Sequence, residues 1–223
     1  MEGLSHSGSA PHSHCGGGGP IPPRSKNICY NKLVSVLFGQ SIYFFIIALI
    51  LAVLEIQIEG PYGWAAKLPT WRPGEQNWFS RFVKKISKGE ELTGYHLVLT
   101  IFLLLIFHWP YIWFSKWSFA NEFLLIGFFI FFTVVWDFLW FVLNPHHSLR
   151  SFGPAQATWH KEWWFGRLPV KYVTGTFLSG FLFVVAALIG GNSFMSGLIN
   201  FLIFFGINLV LTFITILLYP RAF

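Results

Sequence analysis

Charged residues are scarce in this sequence of 223 residues: they make up 11% of the chain, whereas hydrophobic residues make up 54% and the mean hydropathy is +0.58. A soluble domain of average composition carries about 25% charged residues. So few charges cannot cover a water-facing surface for a chain of this length. The scarcity therefore excludes an ordinary soluble domain and predicts an integral membrane protein.

Cysteine and several catalytic motifs are also scarce or missing. Cys15 and Cys29 are the two cysteines of the chain, which is too few for a disulfide framework. The sequence has no His-Glu-x-x-His zinc motif, no Glu-x-x-His pair of a di-iron bundle, no Gly-x-Ser-x-Gly elbow and no glycine-rich phosphate-binding loop. These absences exclude the enzyme classes that depend on such motifs, and they leave any metal or cofactor undetermined.

The net charge of +6 does not indicate a nucleic-acid partner. The basic residues lie in the loops between apolar runs and not along one helix or stripe. Anionic lipid headgroups attract each Lys or Arg near a membrane by about 1 kcal/mol. We therefore expect membrane lipids as partners and no nucleic acid; a protein partner or a homo-oligomer within the membrane is also compatible with the sequence.

The chain divides into a polar tail and an apolar domain. Residues 1–30 are rich in Gly, Ser and His and are expected to be disordered, because they have little apolar surface to bury. Residues 31–223 form the second part, with five apolar runs near the ~20 residues that a spanning helix needs. These runs cover residues 33–54, 97–115, 123–143, 172–191 and 194–219. The predicted fold is an all-α polytopic bundle of about five transmembrane helices with two aromatic, basic interfacial loops.

The distribution of Lys and Arg predicts an orientation. The side that carries both long loops and the C-terminus has eleven basic residues, and the other side has four. Since the more basic side normally faces the cytoplasm, we expect the N-terminus outside and the C-terminus inside, in the cytoplasmic membrane of a prokaryote. Arg24, Lys26 and Lys32, ahead of the first span, favour the opposite orientation.

Polar residues from separate parts of the chain are expected to meet at one membrane face. Two crossings separate the two long loops, so these loops lie on the same face in either orientation. The residues that should meet there are Glu55, Glu59, His96, Asp137, Asn144, His146, His147 and His160.

Asp137 is the strongest candidate among them. It lies inside an apolar run, where a carboxylate at the helix centre costs about 2.5–3.5 kcal/mol. Asp137, Trp140 and Asn144 are spaced to share one helix face. We interpret Asp137 as an acid/base or metal-anchoring group; the alternative is a structural residue that hydrogen-bonds a neighbouring helix or reaches the membrane rim.

Glu55 and Glu59 also share a face if the first helix continues beyond Leu54. The pair could act as a general acid and base or hold a divalent cation. The alternatives are ordinary charges at headgroup level, or a pair with Arg72. The candidate catalytic residues are Asp137, Glu59, His96, Asn144 and His146, and a metal, if bound, would be held by Glu59, His96, Asp137 and His146.

The two long loops are unusually rich in Trp and in basic residues. An aromatic belt with snorkelling cations accounts for this composition. The alternative is a platform that binds lipid headgroups or phosphate above a cavity containing Asp137. The candidate substrate- or lipid-binding residues are Trp140, Arg72, Trp71, Trp64, His160, Trp163 and Arg167.

Three functions are compatible with these observations. The first is a small membrane-embedded enzyme acting on a lipid or other apolar substrate at the interface. The second is a non-catalytic scaffold, assembly factor or subunit of a larger complex. The third is a proton- or cation-coupled carrier, which the absence of charged residues from the last two apolar runs disfavours.

Overall fold

The computed structural model of the protein describes residues 23–87, 89–114 and 117–219. Within these ranges the chain forms six α-helices, a short 3-10 turn and one hairpin of two-residue strands. The helices are α1 (Pro23–Glu59), α2 (Trp78–Ile86), α3 (Gly94–Trp113), α4 (Phe119–Leu143), α5 (Val170–Ile189) and α6 (Phe194–Leu218). The 3-10 turn is Leu149–Ser151, and strand β1 (Trp163–Trp164) pairs antiparallel with β2 (Leu168–Pro169).

Five of these helices are long and apolar enough to cross a membrane, which confirms the predicted all-α polytopic class. The spans are Val34–Glu59 within α1 and the whole of α3, α4, α5 and α6. α1 begins at Pro23, inside the segment that the sequence assigned to a disordered tail, and residues 1–22 of that segment lie outside the described residues. At its other end α1 continues to Glu59, so Glu55 and Glu59 both belong to the helix.

The core of the bundle is built around α4. Ten residues of this helix are buried, and α4 packs against both α1 and α5. Phe128 meets Phe183 of α5 and Phe204 of α6 with ring centroids 4.9 and 4.7 Å apart, both edge to face. Because lipid tails are as apolar as these side chains, close packing rather than escape from water holds the helices together.

Small residues bring α4, α5 and α6 close to one another. Ser179 Oγ of α5 donates to the carbonyl oxygen of Gly127 in α4 at 2.8 Å. A Cβ atom at Gly197 in α6 would lie 2.7 Å from Val184 Cα and 2.8 Å from the carbonyl oxygen of Phe183. Small residues at helix crossings are typical of membrane bundles, since they let two backbones approach.

α3 is attached more loosely than the other spanning helices. Its buried side chains are Leu103 and Phe107. Phe107 stacks on Phe44 of α1 with the ring centroids 4.6 Å apart and also packs edge to face on Phe132 of α4. Near the C-terminal end of α3, His108 Nε2 lies 3.0 Å from Glu122 Oε1 in the first turn of α4.

α2 lies outside the spans and has one apolar face. Trp78, Phe82 and Ile86 follow at intervals of four residues and are all exposed. Asn77 caps the start of the helix by accepting from Phe79 N at 2.9 Å. An exposed apolar stripe on a short helix between two membrane spans is typical of a helix that lies along the bilayer surface.

Candidate functional site

A cavity of about 220 Å³ lies at the end of the bundle where α1 and α4 finish and α3 and α5 begin. Its lining combines apolar and aromatic side chains with several ionisable ones. The lining residues are Glu55, Glu59, Gly63, Trp64, His96, Thr100, Ile130, Thr133, Val134, Trp136, Asp137, Trp140, Trp159, Lys171, Tyr172 and Gly175. Six ionisable groups, counting the Tyr172 phenol, therefore reach the cavity from four different helices.

One group of ionisable side chains joins α1 to α3. Glu55 and Glu59 lie one turn apart on α1, and the carboxylate oxygens nearest to His96 are 3.7 and 3.8 Å from its Nε2 atom. All three side chains are largely buried, with exposed fractions of 11%, 2% and 14% for Glu55, Glu59 and His96. Candidate ligand atoms of the three residues lie within 4.8 Å of one another.

His96 is held in place by its neighbours. Its Nδ1 atom lies 2.8 Å from Thr93 Oγ1, and Thr93 also caps α3 by accepting from the His96 backbone N–H. The indole ring of Trp64 stacks on the imidazole with centroids 4.1 Å apart and an interplanar angle of 15°. These two contacts fix the ring so that Nε2 faces the glutamates.

The turn that follows α1 positions Trp64 and Glu59. Trp64 and Ala65 have φ angles of 57° and 51°, a left-handed conformation that is uncommon for residues other than glycine. The Ala65 backbone N–H donates to Glu59 Oε1, and Arg72 donates to the Ala65 carbonyl oxygen at 2.5 Å. Such conformations persist where their surroundings impose them, often at functional sites. Arg72 thus supports the turn from outside the cavity instead of pairing with a glutamate.

A second group of polar side chains surrounds Asp137. Its Oδ2 atom accepts a hydrogen bond of 2.5 Å from the Tyr172 hydroxyl and lies 3.0 Å from His160 Nε2. The Asp137 side chain retains 28% exposure and lines the cavity, whereas the His160 side chain is almost completely buried behind it. Trp163 holds His160 in turn, since its indole N–H donates to the His160 carbonyl oxygen at 3.0 Å.

Two tryptophans carry indole N–H groups that are buried without a hydrogen-bond partner among the described residues. They are Trp136 and Trp140 of α4, and both line the cavity. A buried donor without an acceptor costs about 1–3 kcal/mol, so nearly all such groups in folded proteins have partners. Both donors are therefore suited to an acceptor on a molecule that occupies the cavity.

Lys171 connects the two groups. Its ammonium pairs with the Glu90 carboxylate and lies 5.1 Å from the ring centroid of Trp64. Burial raises the pKa of the Glu90 carboxyl, and the nearby Lys171 ammonium opposes that rise. Since Glu90 has a side-chain exposure of 2%, the pair fixes the start of α5 against the loop that precedes α3.

Asn144 does not line the cavity but supports it through hydrogen bonds. It is fully buried at the end of α4, its side-chain amide donates to the Gly60 carbonyl oxygen at 2.8 Å, and its Oδ1 accepts from the His146 backbone N–H at 3.1 Å. Asn144 thus ties the turn after α1 to α4. His146 itself is exposed and does not line the cavity.

Replacing Asn144 by alanine should lower the free energy of unfolding by about 1–3 kcal/mol, because the Gly60 carbonyl and the His146 N–H lose their partner. Denaturant titration of the purified protein in detergent measures this change. Asn192→Ala, at an exposed turn between α5 and α6, is the control and should stay within about 0.5 kcal/mol of wild type. Equal losses in both variants would contradict the role of Asn144.

Some of the other residues proposed from the sequence line the cavity, and some do not. Glu59, His96, Asp137, Trp64 and Trp140 line the cavity. His160 and Trp163 support Asp137 from outside the lining. Two others do not line the cavity: Trp71, which is 58% exposed, and Arg167, which is exposed in the turn between β1 and β2.

Sequence reasoning did not select Tyr172, Lys171 or Glu90 for the site. It considered Glu55 as the partner of Glu59, because of their four-residue spacing, but left it out of the candidate catalytic and metal-binding sets. Lys171 and Tyr172 lie at the start of a spanning helix. Lys and Tyr are common there as membrane anchors, so their presence does not indicate a functional site. The pairing of Glu90 with a lysine 81 positions later is not encoded in any local pattern.

Within the described part of the chain, the residues suited to hold a metal are Glu55, Glu59 and His96. This set shares Glu59 and His96 with the set proposed from the sequence. Asp137 is engaged instead by Tyr172 and His160.

No family model matches the chain, and comparison with curated proteins and with solved structures likewise returns no match. The protein is therefore placed by its architecture alone: it is a multi-pass membrane protein with an all-α bundle and a polar cavity at one end.

Proposed function

We propose that the protein is a membrane-embedded enzyme that carries out acid–base chemistry on the polar group of an amphiphilic, lipid-like substrate. The observation that carries the proposal is the position of Asp137. Its carboxylate is oriented by Tyr172 and His160 and borders a cavity that also contains Glu55, Glu59 and His96.

The composition of the cavity supports acid–base chemistry. A general acid or base must be positioned by other groups and must reach the reacting atom. Asp137 meets the first requirement through two side chains from different segments, Tyr172 of α5 and His160 of the preceding loop. It meets the second because it is partly exposed in the cavity.

The size and lining of the cavity support an amphiphilic substrate. Pockets for whole drug-sized ligands measure about 300–1,000 Å³, so a cavity of about 220 Å³ suits a headgroup or a short polar segment. Ile130, Val134 and Gly175 add an apolar part to the lining. The surrounding helices present large exposed apolar side chains, including Phe102, Leu105 and Phe177, which favour a bilayer as the source of the substrate.

The unpartnered indole groups support a bound oxygen-containing substrate. Trp136 and Trp140 line the cavity, and each has a buried indole N–H without an acceptor among the described residues, so a small rotation of either ring would present a donor to a bound molecule. Hydroxyl, carbonyl and phosphate oxygens accept such bonds, whereas acyl chains do not. In the proposed reaction, the indoles and Lys171 bind the polar group while Asp137 exchanges a proton with it.

Filling the cavity tests this proposal. Thr133 lines the cavity and Thr174 is exposed on α5, so Thr133→Phe should block the substrate and Thr174→Phe is a matched control. Membrane lipids from cells that produce each variant at equal folded amounts are compared by mass spectrometry. We expect wild type and the control to convert one amphiphile into a product, and Thr133→Phe to reduce that conversion at least about tenfold.

Two outcomes would count against an enzyme. Identical lipid profiles in all three membranes would exclude turnover of an abundant amphiphile and favour a scaffold. An amphiphile that co-purifies unchanged with wild type and the control, but not with Thr133→Phe, would favour a carrier. Thr100→Phe, at an exposed position on the cavity lining, repeats the test if Thr133→Phe lowers the yield of folded protein.

A further inference from the structure

The side chains of Glu55, Glu59 and His96 have the spacing of ligands around one cation. The two glutamate oxygens lie 3.7 and 3.8 Å from His96 Nε2, which is too far for a hydrogen bond. Zinc is bound by imidazole nitrogens and carboxylate oxygens at about 2.0–2.2 Å. Two ligand atoms at that distance from a common ion and 3.7 Å apart subtend an angle of about 120° at the ion, which is close to tetrahedral or trigonal geometry.

If both glutamates are ionised, the residues around them do not balance their charges. In the described ranges, the ion-pair partner of both Glu55 and Glu59 is His96. One imidazolium offsets one of two carboxylates at most. The cations that lie nearby are engaged elsewhere, Lys171 with Glu90 and Arg72 with the Ala65 carbonyl. Buried carboxyl groups are normally paired, bind a metal or take up a proton, and a bound cation would let both glutamates stay ionised.

The surroundings of His96 match those of a metal ligand. A ligating histidine usually engages its second ring nitrogen with an oxygen that fixes the tautomer and the ring orientation. Thr93 Oγ1 occupies that position, 2.8 Å from Nδ1, and the stacked Trp64 prevents the ring from turning. With Nδ1–H donated to Thr93, the lone pair of Nε2 faces the two glutamates.

A separate observation points to a ligand beside these residues. Trp140 is 3% exposed and lines the same cavity, and its buried indole Nε1–H has no hydrogen-bond acceptor among the described residues. A water or substrate oxygen on a cation is such an acceptor. Three protein ligands leave at least one coordination position of the ion open, as in catalytic zinc sites.

We propose that Glu55, Glu59 and His96 form a binding site for one divalent transition-metal ion, with an open coordination position toward the cavity. Two carboxylates and one imidazole suit borderline and hard divalent ions such as Zn²⁺, Mn²⁺ and Fe²⁺ better than thiophilic Cu⁺. The ion would supply a Lewis acid next to Asp137. The site is independent of the proposed enzymatic function, because an ion bound without turnover would refute the function and retain the site.

The test is a titration of metal-free full-length protein in detergent with Zn²⁺, followed by calorimetry, and with Co²⁺, followed by visible absorption. His6, His12, His14, Cys15 and Cys29 of the tail are potential chelators, so all variants carry alanine at these five positions. We expect one Zn²⁺ per chain. Glu59→Gln and His96→Ala should each weaken binding at least about 100-fold, and Thr93→Val about tenfold, since it alters only the orientation of the ring.

Glu122→Gln is the matched control, because it changes a carboxylate that also lies beside a histidine, His108, but at the other end of the bundle. Its affinity for Zn²⁺ should equal that of the tail-substituted parent. Absence of saturable binding in the parent would overturn the proposal, as would binding that survives both Glu59→Gln and His96→Ala. Glu55→Gln provides a third, nearly isosteric change if His96→Ala fails to fold.

Discussion

Asp137→Asn is expected to lower the turnover of the proposed amphiphilic substrate by about 10²–10⁴-fold, the usual contribution of a general acid or base. Asparagine keeps the size of the side chain, and its amide can still accept a hydrogen bond from Tyr172. It cannot take up or release a proton at neutral pH. The loss should therefore appear in kcat, and binding of the substrate should change much less.

The measurement compares initial rates and substrate affinity for wild type and Asp137→Asn, with the lipid identified in the cavity-filling experiment as substrate. Glu122→Gln is again the control, since it removes a carboxylate from the same helix, α4, without altering the cavity. Tyr172→Phe should give an intermediate rate, because Asp137 loses one hydrogen bond and keeps His160. Unchanged turnover in Asp137→Asn would show that Asp137 only joins α4 to α5.

Gly197→Leu is expected to disrupt the bundle more than any other single substitution at a glycine of α6. The first atom of a side chain at this position would overlap backbone atoms of Val184 and Phe183, which cannot rotate aside. α6 must then move away from α5, and the packing of Phe183 against Phe201 and Phe204 is lost. We expect a loss of about 3 kcal/mol or more, at or above the upper end of overpacking effects.

Unfolding in mixed micelles with increasing denaturing detergent measures this loss. Gly206→Leu is the matched control on the same helix, because a Cβ atom there would meet nothing within 4 Å. It should unfold at or slightly above the wild-type midpoint, since leucine favours helix more than glycine does. Similar midpoints for the two variants would mean that α5 and α6 do not pack closely at Gly197.

The membrane fold could be predicted from the sequence because it depends on composition over long windows. An apolar run of about 20 residues has few structures other than a spanning helix in lipid. The helix ends were less accurate. The continuation of α1 to Glu59 depends on the turn that follows it, where Ala65 donates to that glutamate, and apolar content gives no information about this contact.

The site could be predicted in part, because an even number of membrane crossings separates the two long loops and places them on the same face. That argument gives the level at which Glu59, His96 and Asp137 lie, and these three residues do line one cavity. It says nothing about rotation around a helix axis or about the path of a loop. His146 is at the expected level but exposed, and Tyr172 reaches Asp137 because of the way that α5 packs on α4.

The sparse packing of α3 gives the cluster of Glu55, Glu59 and His96 a mechanical role. α3 buries only Leu103 and Phe107, yet it supplies the histidine of the cluster. A cation bound there would join α3 to α1, so its occupancy would be thermodynamically linked to the attachment of α3. A ligand at a hundredfold excess over its dissociation constant contributes about 2.7 kcal/mol to the state that binds it. The concentration of the ion would then shift the balance between attached and detached α3.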